Sequence, residues 1–110
     1  MTVLTIRAHK RYAVRQPVRI CRPGKTPIEG LMIELSSEGF RVSNLGRPGF
    51  AIGEPVIVEL DELVYHGKIR WTHDGIAGVR LDQALFANQV HDLIARGRGE
   101  TAGDIRRYGT

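Results

Sequence analysis

The fold is decided by residues 55–81, PVIVELDELVYHGKIRWTHDGIAGVRL. Apolar and β-branched residues recur at short intervals here, which predicts three strands at residues 55–60, 63–71 and 76–81. The dipeptide Asp74-Gly75 separates the last two strands and is typical of a two-residue hairpin turn. We therefore expect an antiparallel sheet in this part of the chain.

Side chains in these strands alternate between a buried and an exposed face. The alternation places Val56, Val58 and Leu60 together on one face of their strand. By the same rule, Ile69 and Trp71 are predicted to share a face of the next strand.

Three further strands are predicted upstream, at residues 18–21, 28–35 and 40–43. Residues 1–16 have no clear periodicity, and we expect them to form an extended arm or loop that enters the first strand. Residues 46–53 hold three glycines and a proline and are predicted to be a loop. Short strands joined by glycine-rich turns predict a mainly β fold, a small six-stranded antiparallel barrel.

A single C-terminal α-helix is predicted after the barrel. Asp82 is expected to cap its N-terminus and Gly97 to end it. Apolar residues recur between them at helical spacing, at Leu85, Phe86, Val90, Leu93 and Ile94. The predicted organisation is an N-terminal arm (1–7), a barrel domain with its helix (8–96) and a polar tail (97–110) that we expect to be disordered.

Positive charge is concentrated at the start of the chain. Seven of the 16 lysines and arginines lie within residues 1–25, and the first acidic residue is Glu29. This basic segment predicts an anionic partner: a nucleic acid, a membrane surface or a phosphorylated small molecule. The single cysteine, Cys21, is typical of a protein of the reducing cytoplasm, and no apolar run is long enough to span a membrane.

The sequence does not favour an enzyme or a metalloprotein. Ser36 and Ser37 do not lie in a nucleophile-elbow motif. The four histidines lack metal-ligand spacing, so we predict neither a metal site nor a cofactor.

Residues 10–15, KRYAVR, place two arginines four residues apart. A guanidinium can donate paired hydrogen bonds to a phosphate or to the O6/N7 edge of guanine, and it can stack on an aromatic base. Alone, this spacing is also typical of solvated surface charge.

Residues 34–40, ELSSEGF, form a predicted turn after the second strand. Ser36 offers a hydroxyl, and Gly39 can take a positive φ and lets a ligand approach closely. An ordinary turn, in which Ser36 bonds its own backbone, is the structural alternative.

Together these stretches resemble the bacterial PilZ domain family, whose pattern is R-x-x-x-R followed by D/N-x-S-x-x-G. The matching residues are Arg11 with Arg15, and Glu34-x-Ser36-x-x-Gly39. Residues 67–71, GKIRW, and 78–81, GVRL, resemble a later strand pair of the family, so the likeness covers roughly residues 8–96 in order.

The resemblance implies that the chain binds cyclic di-GMP. Arg11 and Arg15 would contact guanines and phosphates, Ser36 would bond a phosphate or the turn that supports it, and Gly39 would keep the turn open. The glycines and tryptophan of the later strand pair would serve the barrel.

Two positions of the ligand-binding set depart from the family pattern. Glu34 stands where the family has Asp or Asn, and its extra methylene displaces the carboxylate. Lys10 stands where an arginine is frequent, and it keeps the charge without the planar fork.

Three functions follow as hypotheses. The first is a cytoplasmic cyclic-di-GMP receptor that reorders its N-terminal arm on binding and signals to a protein partner. The second is a degenerate PilZ-like interaction module that binds no nucleotide. The third is a basic nucleic-acid-binding barrel, which is disfavoured because aromatic residues make up only 6% of the chain.

Overall fold

The computed structural model describes residues 10–47 and 49–98. The predicted arm (1–7) and the tail beyond Arg98 lie outside these described residues. The elements in chain order are β1 (Tyr12–Cys21), β2 (Ile28–Leu35), β3 (Gly39–Ser43), β4 (Pro55–Leu60), β5 (Leu63–His73), β6 (Ile76–Leu81) and α1 (Ala87–Gly97). The predicted class, mainly β with one C-terminal helix, is confirmed.

The strands form a closed antiparallel barrel in the order β1-β2-β3-β6-β5-β4. Asp74 and Gly75 join β5 to β6, and both have positive φ values, of 49° and 77°, as the predicted hairpin requires. The barrel places β3 beside β6, although 32 residues separate the end of one from the start of the other. This non-local pairing brings the Ser36–Gly39 turn next to the later strand pair.

The interior of the barrel is apolar, and alternation along the strands supplies it. Val56, Val58 and Leu60 are all buried, as predicted for β4. Val18 and Ile20 point inward from β1 in the same way. The core therefore sits inside the barrel, and the odd-numbered residues of β1 lie on its outer surface.

β1 is longer than predicted, because it begins at Tyr12. Arg15 therefore lies on a strand and not in a loop. The sequence obscured this because Pro17 has no N–H to donate. β1 pairs with β4 only over Arg19–Cys21, so Pro17 lies where the strand has a partner on the β2 side alone.

The helix begins four residues later than predicted, at Ala87. Asp82 is not its N-cap, and its carboxylate instead lies 3.1 Å from Lys68 Nζ. The N-cap is Phe86, whose backbone N–H donates to Gln89 Oε1 at 2.8 Å. Gly97 is the last residue inside the helix, where a Cβ atom would approach Val14 Cβ to 2.7 Å. Within the described part of the chain, no helix has the length and apolar character needed to cross a membrane.

Candidate functional site

One row of residues crosses the outer face of five adjacent strands. The strand registers pair Ala13 with Glu34, Glu34 with Arg41, Arg41 with Gly78 and Gly78 with Trp71. Side chains in such a row are direct neighbours. A carboxylate, a guanidinium and an indole therefore stand side by side on the barrel surface.

Two β-bulges bring Glu34 and Trp71 of this row to the outer face. The register of β2 against β3 shifts between Met32 and Glu34, and that of β5 against β6 shifts between Ile69 and Trp71. An extra residue in one strand reverses the face on which the following side chains point. Ile69 is fully buried, whereas Trp71 lies outside, so the prediction that the two share a face is wrong.

Gly78 makes room for the indole. A Cβ atom at this position would overlap Trp71 Nε1, so the ring lies directly across the glycine backbone. The guanidinium carbon of Arg41 lies 5.4 Å from the centre of the Trp71 ring, within cation–π range.

A cavity of about 440 Å³ opens over this row. Its volume is within the range of small-ligand sites. Four arginines and two glutamates line it, which leaves an excess of positive charge. The lining residues are Arg11, Glu34, Leu35, Ser36, Glu38, Gly39, Phe40, Arg41, Arg70, Trp71, Gly78, Val79 and Arg80.

The charged side chains of the cavity form loose ion pairs. Glu34 Oε1 lies 3.7 Å from Arg11 Nη1 and 3.8 Å from Arg41 Nη2. Arg80 Nη2 lies 3.6 Å from Glu38 Oε1. These distances exceed hydrogen-bonding range, and the side chains are partly exposed, so an incoming anion can compete for the guanidinium groups.

The turn below the cavity is held by its own backbone. The Ser36 N–H donates to Gly39 O at 2.9 Å, and Ser36 Oγ accepts from the Glu38 N–H at 3.1 Å. The structural alternative, a serine bonded to its own turn, is therefore present. Because a hydroxyl can accept and donate at once, Ser36 can still donate its hydrogen to a ligand.

Gly39 is required for a reason other than the predicted one. Its φ is not positive. Instead, β6 passes so close that a Cβ atom would overlap the Val79 carbonyl oxygen. The conformational freedom of the glycine is not used, and the β3–β6 contact that requires a glycine is not visible in the local sequence.

The sequence matches the PilZ domain family over residues 5–96. This chain belongs to that family. PilZ domains are cyclic-di-GMP receptor and effector domains rather than enzymes. The cavity of this PilZ domain lies on the outer barrel surface, where the two predicted motifs meet.

A solved structure of similar fold is the Bacillus subtilis inhibitor of motility (MotI/DgrA), with a TM-score of 0.62 and 18% sequence identity. The match covers 96% of this chain and 52% of that one, so this PilZ domain spans about half the length of its structural relative. No curated protein matches the sequence.

Four of the six predicted site residues line the cavity: Arg11, Glu34, Ser36 and Gly39. The other two, Lys10 and Arg15, are exposed and do not line it. Arg15 lies on the same outer face of β1 as Ala13, two residues further along the strand.

Sequence reasoning missed several charged or aromatic lining residues of this PilZ domain, among them Arg41, Arg70, Trp71 and Arg80. Arg41 and Arg80 alternate with buried neighbours, and that alternation could have placed them on the outer face. Arg70 lies within the bulge in β5 and Trp71 follows it, and no simple periodicity reveals that Trp71 points outward. The resemblance assigned Trp71 to the barrel, whereas the structure places it in the cavity wall.

Among the described residues outside the cavity, the structure shows neither a metal site nor an activated thiol. Within residues 10–47 and 49–98, no three His, Cys, Asp or Glu side chains are grouped as a metal site would need. Cys21 is half-buried, and burial together with the negative charge of Glu59 raises the pKa of its thiol. A raised pKa is the opposite of what a reactive thiolate needs.

Proposed function

We propose that this PilZ domain is a receptor for cyclic di-GMP and that the ligand binds in the cavity between Arg11 and Trp71. One observation carries the proposal. Arg11 and the Ser36–Gly39 turn, which belong to two separate predicted motifs, border the same cavity. The proposed role is that of a binding and effector domain, with no catalytic step.

The chemistry of the lining suits both parts of a guanine nucleotide. Guanidinium groups bind phosphate oxygens strongly through charge-assisted hydrogen bonds. The Trp71 indole offers a surface on which a base can stack, and the Glu34 carboxylate accepts hydrogen bonds. Ser36 and the backbone of its turn supply further polar contacts at the cavity floor.

Ligand binding is proposed to order the N-terminal arm. Arg11 borders the cavity immediately before β1, and Lys10 and Arg15 lie exposed on either side of it. A ligand with two phosphates could draw these cations together, and a protein partner would then bind the changed surface. Ligand-dependent protection of Arg7, Lys10 and Arg11 from trypsin would support this step.

Isothermal titration calorimetry tests the proposal directly. We expect cyclic di-GMP to bind the intact chain, and Arg11→Ala and Arg15→Ala each to weaken binding by roughly ten- to a hundredfold. Arg19→Ala is the matched control: Arg19 is exposed on the same strand but lies outside the cavity, paired with Glu29 at 3.3 Å. The proposal fails if cyclic di-GMP gives no binding heat, or if Arg11→Ala binds as well as Arg19→Ala.

A specific contact favours the second candidate, an interaction module that has lost nucleotide binding. Glu34 Oε1 faces both Arg11 and Arg41 and offsets their charge inside the cavity. Glu34→Asp, which restores the family residue, distinguishes the two functions. If the protein is a receptor, the affinity of Glu34→Asp for cyclic di-GMP should differ from that of the native protein by less than about tenfold. If Glu34 blocks the site of an interaction module, Glu34→Asp should bind the nucleotide and the native protein should not.

A further inference from the structure

Trp71, Arg41 and Glu34 form a layered group on the outer surface of the barrel. The Arg41 guanidinium carbon lies 5.4 Å from the centre of the indole ring, and Arg41 Nη2 lies 3.8 Å from Glu34 Oε1. Gly78, which separates Arg41 from Trp71 in the register, has no side chain to keep them apart. Arg41 thus makes a cation–π contact with the indole and an ion pair with the carboxylate at the same time.

A guanine base offers the same two contacts as this guanidinium. It is flat and can stack on an indole. Its Watson–Crick edge carries an N–H and an amino group side by side, which is the donor pattern of a guanidine facing a carboxylate. Arg41 therefore occupies the position that a guanine between Trp71 and Glu34 would take.

The base and the guanidinium cannot share that position. A base stacked between two planar groups needs about 7 Å between them, twice the roughly 3.4 Å spacing of stacked bases. The observed 5.4 Å between the guanidinium carbon and the ring centre is too small for this. A guanine that stacks on Trp71 must first move Arg41.

The contacts that hold Arg41 are weak enough to be exchanged. Its side chain is 38% exposed and that of Glu34 is 30% exposed. Exposed ion pairs and cation–π contacts each contribute little, so a ligand can replace them.

We propose that Arg41 is an intramolecular competitor of guanine, which covers Trp71 in the free protein and is displaced when the nucleotide binds. This inference rests on the proposed function and adds a residue that lowers ligand affinity. Arg41 is not counted among the residues that grip the ligand.

The sole tryptophan of the chain makes the ligand-free step measurable. Arg41→Thr keeps strand propensity but is too short to cover the indole. Acrylamide should therefore quench Trp71 fluorescence more strongly in Arg41→Thr than in the native protein. Arg80→Thr, which removes a cavity arginine paired with Glu38, should leave quenching unchanged. Equal quenching of Arg41→Thr and the native protein would overturn the inference.

The ligand step is measured by titrating cyclic di-GMP at about 1 M NaCl, where the Debye length is about 3 Å and the loss of one positive charge has little long-range effect. Arg41→Thr should bind roughly three- to tenfold more tightly than the native protein, and Arg80→Thr should not. Equal or weaker binding by Arg41→Thr overturns the inference. A thermal melt of each variant verifies that it is folded, and Arg41→Ala provides a second substitution if Arg41→Thr is not.

The two proposals fail in different ways. If the native protein binds and Arg41→Thr gains nothing, the competitor role is wrong and the receptor function stands. If Arg41→Thr binds and the native protein does not, Arg41 prevents ligand binding completely, and its competitor role is confirmed. If neither protein binds at any salt concentration, both proposals are rejected.

Discussion

Gly39 and Gly78 are glycines because other groups occupy the space that a side chain would fill. The Val79 carbonyl oxygen lies where a Cβ of Gly39 would be, and the Trp71 indole lies where a Cβ of Gly78 would be. Gly39 therefore permits the close β3–β6 pairing, while Gly78 shapes the cavity wall. The first is a requirement of folding, and the second is a requirement of the site.

Gly39→Ala should be strongly destabilising, because the backbone of β6 cannot yield as a flexible side chain could. We expect a loss of about 2–3 kcal/mol in the free energy of unfolding, measured by urea denaturation. Gly24→Ala is the control: nothing lies within 4 Å of its Cβ position, and only its φ of 69° disfavours alanine. It should cost about 1 kcal/mol, and equal losses for the two variants would contradict the steric explanation.

Helix α1 is attached to the barrel by its C-terminal turn. Gly97 packs against Val14, and Arg98 Nε donates to the Ala13 carbonyl at 3.1 Å. The Arg96 guanidinium reaches the β4–β5 turn, 2.9 Å from Asp61 and 3.0 Å from Glu62. It also lies 2.9 Å from Asp92, one turn earlier in the helix. Helix α1, which supports the N-terminal half of β1, is thus held in place by several ion pairs at once.

The Arg96 contacts predict a pH-dependent stability. Hydrogen bonds from Arg96 lower the pKa of Glu62 below its ordinary value of 4.5. A carboxylate with a lowered pKa in the folded state stabilises the fold above the ordinary pKa, and this stabilisation is lost as pH falls through the lowered value. Arg96→Met should therefore reduce the melting temperature at pH 7, and its difference from the native protein should shrink below about pH 4.5.

Arg70→Met is the control for that series, because Arg70 makes no ion pair within residues 10–47 and 49–98. Its melting temperature should track that of the native protein at every pH. A difference between Arg96→Met and the native protein that does not change with pH would show that Arg96 acts through packing alone.

At the scale of the whole molecule, the charge distribution and the shape of the cavity bear on which kind of anion we expect to bind. The formal net charge is +4, and four arginines meet around one cavity of about 440 Å³. A nucleic-acid strand needs a basic groove with several stacking surfaces along its length. A compact cavity with a single indole matches a small nucleotide better.

We therefore expect the intact protein to discriminate between the two classes of ligand. At about 0.15 M salt, cyclic di-GMP should bind while a fluorescein-labelled single-stranded DNA should show no change in anisotropy. Tight DNA binding that weakens steeply with added salt, without competition by cyclic di-GMP, would instead favour the nucleic-acid function.

Local sequence patterns were sufficient to predict much of the fold and part of the candidate site. Alternation placed Val56, Val58 and Leu60 in the core, and Asp74-Gly75 located a hairpin that the structure confirms. Motif spacing also identified Arg11 and Ser36, which do border one cavity. These features follow from short-range rules of strand geometry, turn conformation and side-chain chemistry, which the chain expresses within a few residues.

The remaining features depend on contacts between distant segments. The β5 bulge turns Trp71 outward, and the β3–β6 pairing explains Gly39. Arg41 reaches Trp71 only because Gly78, far along the chain, lies between them in the barrel. Strand register and close backbone approach are set by closure of the barrel, so the wall of the cavity and the contact of Arg41 with Trp71 could be seen only in the folded structure.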